Sequence, residues 1–174
     1  MAPVEFLKMI WLRPVDSRRY ALVRMAFAAV TLLHIANLWP YRIALLCNDG
    51  MIGQVNGSGS VPGFYISIYA LLDTPLAVTA SFLIAASATI LLGCGKWARP
   101  MLAVVFLFLL SVMQRAPISA AGWDFILMNL GFILLFSPLG NQWNQRNLLF
   151  KKGTQPDTEF MPQYGLTLIR LQVF

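Results

Sequence analysis

Two apolar runs set back to back between residues 93 and 140 leave this chain few folds to choose from. The stretch opens on a short basic turn, Gly93-Cys94-Gly95-Lys96-Trp97-Ala98-Arg99-Pro100, then runs through 101–113 almost without a polar atom. It breaks at Gln114-Arg115-Ala116-Pro117 and resumes from Trp123-Asp124 to Pro138. A helix on the surface of a soluble domain keeps one polar face, and neither run has one. The pattern predicts a hairpin of two membrane-spanning helices.

The rest of the chain agrees. Of 174 residues, 58% are hydrophobic and 11% charged, against roughly 25% charged in an ordinary globular domain. A net charge of +6 would point to nucleic acid in a soluble protein. In a chain embedded in lipid, the Lys and Arg positions report orientation instead, and no nucleic-acid partner is expected. The expected fold class is all-α: one polytopic transmembrane helical bundle over residues 1–174, with four complete spans, a partial fifth and short interfacial helices.

In chain order, residues 1–13 carry Phe6, Leu7, Ile10 and Trp11 on one helical side and Glu5 and Lys8 on another, an interfacial helix. Asp16 and Ser17 are the expected cap of a first span over about 18–46, which Pro40 should kink near its far end. A loop rich in turn formers follows at 47–63, including Asn48-Asp49-Gly50. Residues 64–72 are too few to cross and predict an interfacial or re-entrant helix.

Thr74-Pro75 opens the second span, 75–93, whose Ala77, Ser81, Ala85, Thr89 and Gly93 recur every fourth residue. Small residues in that register let a neighbouring backbone approach where the hydrophobic effect cannot drive association; the alternative use of the stripe is a substrate groove. Spans three and four fall at about 97–115 and 122–138. Residues 141–150 again have interfacial character, and 163–174 begin a fifth span. Those twelve residues rise only about 18 Å, so the expectation is a fragment or shortened reading frame.

The basic residues alternate with the spans. Lys8, Arg13, Arg18 and Arg19 precede the first, Lys96 and Arg99 lie between the second and third, and Arg146, Lys151 and Lys152 follow the fourth. Cytoplasmic loops are enriched in Lys and Arg, which places the N-terminus in the cytoplasm of a bacterial inner-membrane protein. Cys47 and Cys94 then fall on opposite sides, and no disulfide joins them.

One His and two separated Cys leave no ligand spacing for a metal site. Phosphate-loop and Ser/His/Asp patterns are also missing. Ionisable groups in or near the bilayer are costly there and become the candidate sites. Arg115 and Asp124 flank the outer loop of the hairpin, either as an ion pair between its helices or as groups facing an external cleft. His34 and Asn37 share one side of the first span, as an interhelical hydrogen-bonded contact or as a proton-handling or ligand site. Asp49, beside Gly50, is a turn former or a further ligand contact. Arg24 lies close enough to the inner interface to snorkel.

A family resemblance rests on the order of several short motifs. These are the segment 18–33, Asn48-Asp49-Gly50, Tyr69-Ala70-Leu71-Leu72-Asp73-Thr74-Pro75, Leu92-Gly93, Lys96-Trp97-Ala98-Arg99, Gln114-Arg115-Ala116-Pro117, Gly122-Trp123-Asp124, Phe136-Ser137-Pro138-Leu139-Gly140 and Arg170-Leu171-Gln172-Val173-Phe174. Together, over residues 17–174, they resemble the HTTM domain, the membrane domain shared by vitamin K-dependent gamma-carboxylases and many bacterial relatives. The resemblance implies a multi-helix membrane bundle.

In the carboxylases it would further imply a lysine that deprotonates a reduced quinone to drive carboxylation of peptide glutamates. That lysine would fall beyond residue 174, in the helix that 170–174 begins. Where bacterial members often have Arg-Asn-Pro, this chain has Arg115-Ala116-Pro117, and no large extramembrane domain follows. Bacterial members also include proteins without carboxylase chemistry, among them a membrane component of a peptide-toxin maturation system.

The expected function is therefore a non-catalytic membrane protein that binds a lipid-like ligand or assists a secreted peptide, with His34, Asn37, Asp49, Arg115 and Asp124 as ligand-binding candidates. The alternative is the N-terminal part of a carboxylase-like enzyme using reduced quinone. A third reading is a small accessory protein of a quinone pathway.

Overall fold

The computed structural model describes residues 14–47, 50, 67–70, 74–116, 121–137, 160–162 and 164–173. The interfacial helix expected at 1–13, most of the 47–63 loop with Asp49, and the stretch 141–150 lie outside them.

Helix α1 (Ser17–Leu38) passes through a 3-10 turn, Trp39–Tyr41, into the short α2 (Arg42–Leu46). The expected kink falls at Pro40, which has no N–H to continue the helical ladder. Three further helices follow, α3 (Pro75–Gly93), α4 (Ala98–Arg115) and α5 (Gly122–Phe136), then α6 (Tyr164–Val173). Three units are long and apolar enough to cross a membrane: α1 with α2, α3, and α4. The 19 residues of α3 rise about 28 Å, close to the hydrocarbon thickness of about 30 Å. The expected fourth span is a shorter apolar helix, whose 15 residues rise about 22 Å.

Local chemistry sets the helix ends. Thr74 Oγ1 accepts the Ala77 N–H at 3.3 Å, with Pro75 in the first turn. At the other end of α3, the Lys96 N–H reaches Leu91 O and the Gly95 N–H reaches Leu92 O, both at 3.0 Å. This pair of bonds requires a left-handed residue just past the helix, and Gly95 supplies it at φ 77°. Trp97 is also left-handed (φ 52°), and the next residue starts α4. The α3–α4 hairpin is thus closed by four residues.

The helices form a ring in which α1 and α4 each pack against α3 and α5. The end of α1 meets the start of α5; Thr79 near the start of α3 accepts from Arg42 just past the end of α1, while Gly93 at the end of α3 lies against Ala28 in the middle of α1. Neighbours therefore run antiparallel. Of the small-residue stripe, Ser81, Ala85 and Thr89 are buried within the bundle and Ala77 is half-buried. At Gly93 an added Cβ would stand 3.4 Å from that of Ala28, so the stripe serves close helix packing.

Polar side chains share the core with apolar ones, and large apolar side chains cover the outside. Arg24, Thr31, Thr89, Ser111 and Arg115 are buried inside, while Leu33, Leu76, Ile84, Ile126, Phe132 and Phe136 face outward, Leu76 82% exposed. Water would not tolerate so much apolar surface; lipid does. The protein is a membrane protein.

The fold is all-helical as expected; one short addition and one correction concern its details. The bundle is helical but carries a three-residue antiparallel ladder, Pro14–Asp16 (β1) against Phe160–Pro162 (β2), with Val15 opposite Met161. It ties the lead-in of α1 to that of α6. Arg24 does not snorkel to the surface: it is 1% exposed, inside the bundle, because its position on α1 faces the neighbouring helices rather than the rim.

Candidate functional site at one end of the bundle

The ends of α1 and α4 and the starts of α3 and α5 converge, and most of the polar side chains that sequence singled out gather there. Asp124 occupies the third position of α5. Its Oδ2 accepts the Ala121 N–H at 2.7 Å, satisfying a donor that precedes the helix. Its Oδ1 lies 3.3 Å from Nε2 of His34 on α1. Oδ1 is buried and accepts no aligned hydrogen bond among the described residues, so this contact is electrostatic in kind. The side chains of His34 and Asp124 are 8% and 15% exposed. The His34 ring also meets the edge of Trp123 at 6.1 Å.

The expected Arg115–Asp124 pair is thus replaced. Asp124 turns across the bundle to α1, and Arg115 is buried at the end of α4. In a helix hairpin the nearest opposite charge in sequence need not be the nearest in space. Asn37 sits one turn beyond His34 but is exposed and does not join the contact. Asp49 lies outside the described residues.

Beside His34 and Asp124 is a cavity of about 20 Å³, otherwise lined by Leu38, Leu109, Val112, Met113 and Ala116. A buried water needs roughly 10–15 Å³, so there is room for one oxygen-sized group. Of the lining residues, His34, Leu38, Met113 and Asp124 are half-buried. Among the described residues no three His, Cys, Asp or Glu side chains converge as metal ligands.

A second polar cluster, marked by no motif along the chain, lies at the same end. Where it is described, the segment expected as a helix at 64–72 is a 3-10 turn, Ile68–Ala70, docked on α4. Ser67 Oγ donates to Ser111 O at 3.0 Å, and the Ile68 N–H donates to Ser111 Oγ at 3.2 Å. Tyr69 is fully buried, and its hydroxyl lies 2.8 Å from Ser81 Oγ on α3. Ser81 itself donates to Val78 O at 2.7 Å, so Tyr69 is the donor. Burial pushes the Tyr69 phenol from 10.0 up to about 12. The signal for this turn was Tyr69 itself, a polar aromatic in a segment too short to span. Arg42 completes the rim: its Nη1 donates to Trp39 O at 2.6 Å and its Nε to Thr79 Oγ1 at 3.3 Å, and its guanidinium stacks 4.1 Å from the Trp39 ring.

No protein-family model, curated protein or solved structure matches this chain.

Proposed function

We propose that this protein is a multi-pass membrane protein that holds a lipid-like ligand at the end of the bundle where His34 and Asp124 meet, and that it belongs with the non-catalytic members of the HTTM-like proteins it resembles. The observation that carries the reading is a polar His–carboxylate contact set in an otherwise apolar cavity at helix-end depth. An amphiphile has matching parts, a polar head and an apolar tail, and arrives through the surrounding lipid. A secreted peptide handled at the membrane surface is the partner the same end would serve.

In this reading α5 completes a fourth span and α6 starts a fifth. The Lys and Arg distribution supports a cytoplasmic N-terminus, which puts the His34–Asp124 end outside. Single cysteines in a cysteine-free background test the threading: Gly122→Cys, whose site has no neighbouring atom within 4 Å of an added Cβ, and Trp97→Cys, at an exposed turn. Labelling of intact cells by an impermeant thiol reagent is expected at 122 and not at 97; the reverse pattern refutes the orientation.

The ligand reading is tested by purifying the full chain in nanodiscs and identifying extracted amphiphiles by mass spectrometry. One species is expected to be enriched over the bulk lipid and lost from Met113→Trp, which fills the cavity. Identical extracts from the two proteins remove the reading.

A further inference from the structure

The cavity also specifies what kind of head group it accepts, an inference that rests on the ligand reading above. Its space is that of a single oxygen atom. Asp124 is one of the lining residues; its Oδ1 is buried and without an aligned donor, while Oδ2 is committed to the Ala121 N–H. A buried acceptor in that condition costs free energy until a donor arrives. The five other lining side chains, Leu38, Leu109, Val112, Met113 and Ala116, offer no hydrogen bond.

A group that satisfies this site is small, uncharged and able to donate a hydrogen. A carboxylate or phosphate head would set negative charge against Asp124 in a poorly solvated place. A quaternary ammonium head is too large for the space and has no proton to donate. We propose that the cavity binds the terminal hydroxyl of an uncharged, alcohol-headed amphiphile. The hydroxyl donates to Asp124 Oδ1 and its oxygen faces His34 Nε2, which lies 3.3 Å from that same carboxylate atom. The tail leaves past the half-buried Leu38 and Met113 into the hydrocarbon. Helix ends lie at head-group depth, so a lipid-borne hydroxyl reaches the site without leaving the bilayer.

The test uses the full chain in nanodiscs and a dodecanol analogue carrying a photoreactive diazirine in its tail, with labelled residues mapped by mass spectrometry. Labelling is expected within 109–116 and to fall about tenfold, the worth of one good hydrogen bond at such a site, when unlabelled dodecanol competes. Dodecanoate and dodecyltrimethylammonium are expected not to compete.

Asp124→Asn keeps an oxygen acceptor and a helix-capping side chain while removing the charge. It is expected to retain labelling and to become sensitive to dodecanoate. Equal competition by dodecanol and dodecanoate in the native protein overturns the head-group class while leaving a lipid site in place. Dodecanoate excluded equally from Asp124→Asn overturns the charge argument. Labelling confined to the outward-facing Leu83 and Leu107 with every probe overturns both this inference and the ligand reading, and leaves the cavity to water.

Discussion

Replacing Tyr69 by Phe removes one hydroxyl from a buried polar contact at the end of the bundle that holds His34 and Asp124, and its effect should reverse sign with pH. Near neutrality the substitution deletes the bond from Tyr69 to Ser81 Oγ but leaves Ser81 donating to Val78 O. No donor is stranded, so the loss is that of one ordinary hydrogen bond, about 1 kcal/mol.

At high pH the balance shifts. The folded protein holds the phenol neutral up to about 12, against 10.0 for an exposed tyrosine. Between those values the unfolded chain ionises first, so Tyr69 contributes its full stability below pH 10 and loses it as pH rises through 12. About two pH units correspond to roughly 3 kcal/mol. The native protein therefore starts about 1 kcal/mol more stable than Tyr69→Phe, meets it near pH 11, and falls below it at pH 12. Equilibrium unfolding in mixed micelles, followed by loss of helical circular dichroism, measures this difference. Other titrating groups are common to both proteins and cancel. Two stability curves that stay parallel from pH 8 to 12 would refute the burial of this side chain.

Three further outcomes follow from the packing. A double-mutant cycle of His34→Ala and Asp124→Ala, read by thermal unfolding in detergent, is expected to show coupling of about 1 kcal/mol, whereas Arg115→Ala and Asp124→Ala should add independently; coupling only in the second pair contradicts the site. Thr31 is fully buried, and its hydroxyl has no partner among the described residues, so Thr31→Val is expected to stabilise the bundle by about 1 kcal/mol; a loss in the same melt would show that the hydroxyl is satisfied. Gly165→Ala would place a methyl 2.8 Å from Ser137 Cβ and 3.1 Å from Tyr20 Cε1 and should loosen α6 by roughly 1–3 kcal/mol, seen as faster proteolysis within 160–173 without a change at α3 or α4.

What the sequence made legible was what local physics decides. Unbroken apolar runs, Pro75 at a helix start, Pro40 at a kink and the small-residue stripe each act over one or two turns, and the helices follow them. The partner of Asp124 was not legible, because it depends on which helices become neighbours in a ring. Charge proximity along the chain favoured Arg115; the antiparallel packing of α1 on α5 delivered His34. Burial of Arg24 depends on rotation about the helix axis, which a run apolar on every side does not fix. Two glycines hold positions where helices and neighbouring elements crowd together. At Gly131 an added Cβ would stand 3.3 Å from Phe27 Cζ and 3.4 Å from Phe106 Cδ2, and Gly165 abuts Ser137, so each marks a close approach between elements. The β1–β2 ladder, three residues a side, is too short to leave a periodic pattern.

The placement of polarity explains why a site should form where it does. Within the helices, Thr89 Oγ1 donates to Ala85 O at 2.7 Å and Ser111 Oγ to Leu107 O at 2.7 Å, so these hydroxyls are spent on their own backbone. Asp124 has no carbonyl to turn back to, because a carboxylate accepts and does not donate. One of its oxygens closes the start of α5, and that bond fixes the direction of the other, which lies 3.3 Å from His34 Nε2 on α1. The residue that closes the start of α5 is thus the one that leaves an acceptor unfilled, and among the described residues space, burial and an unmet hydrogen bond meet there.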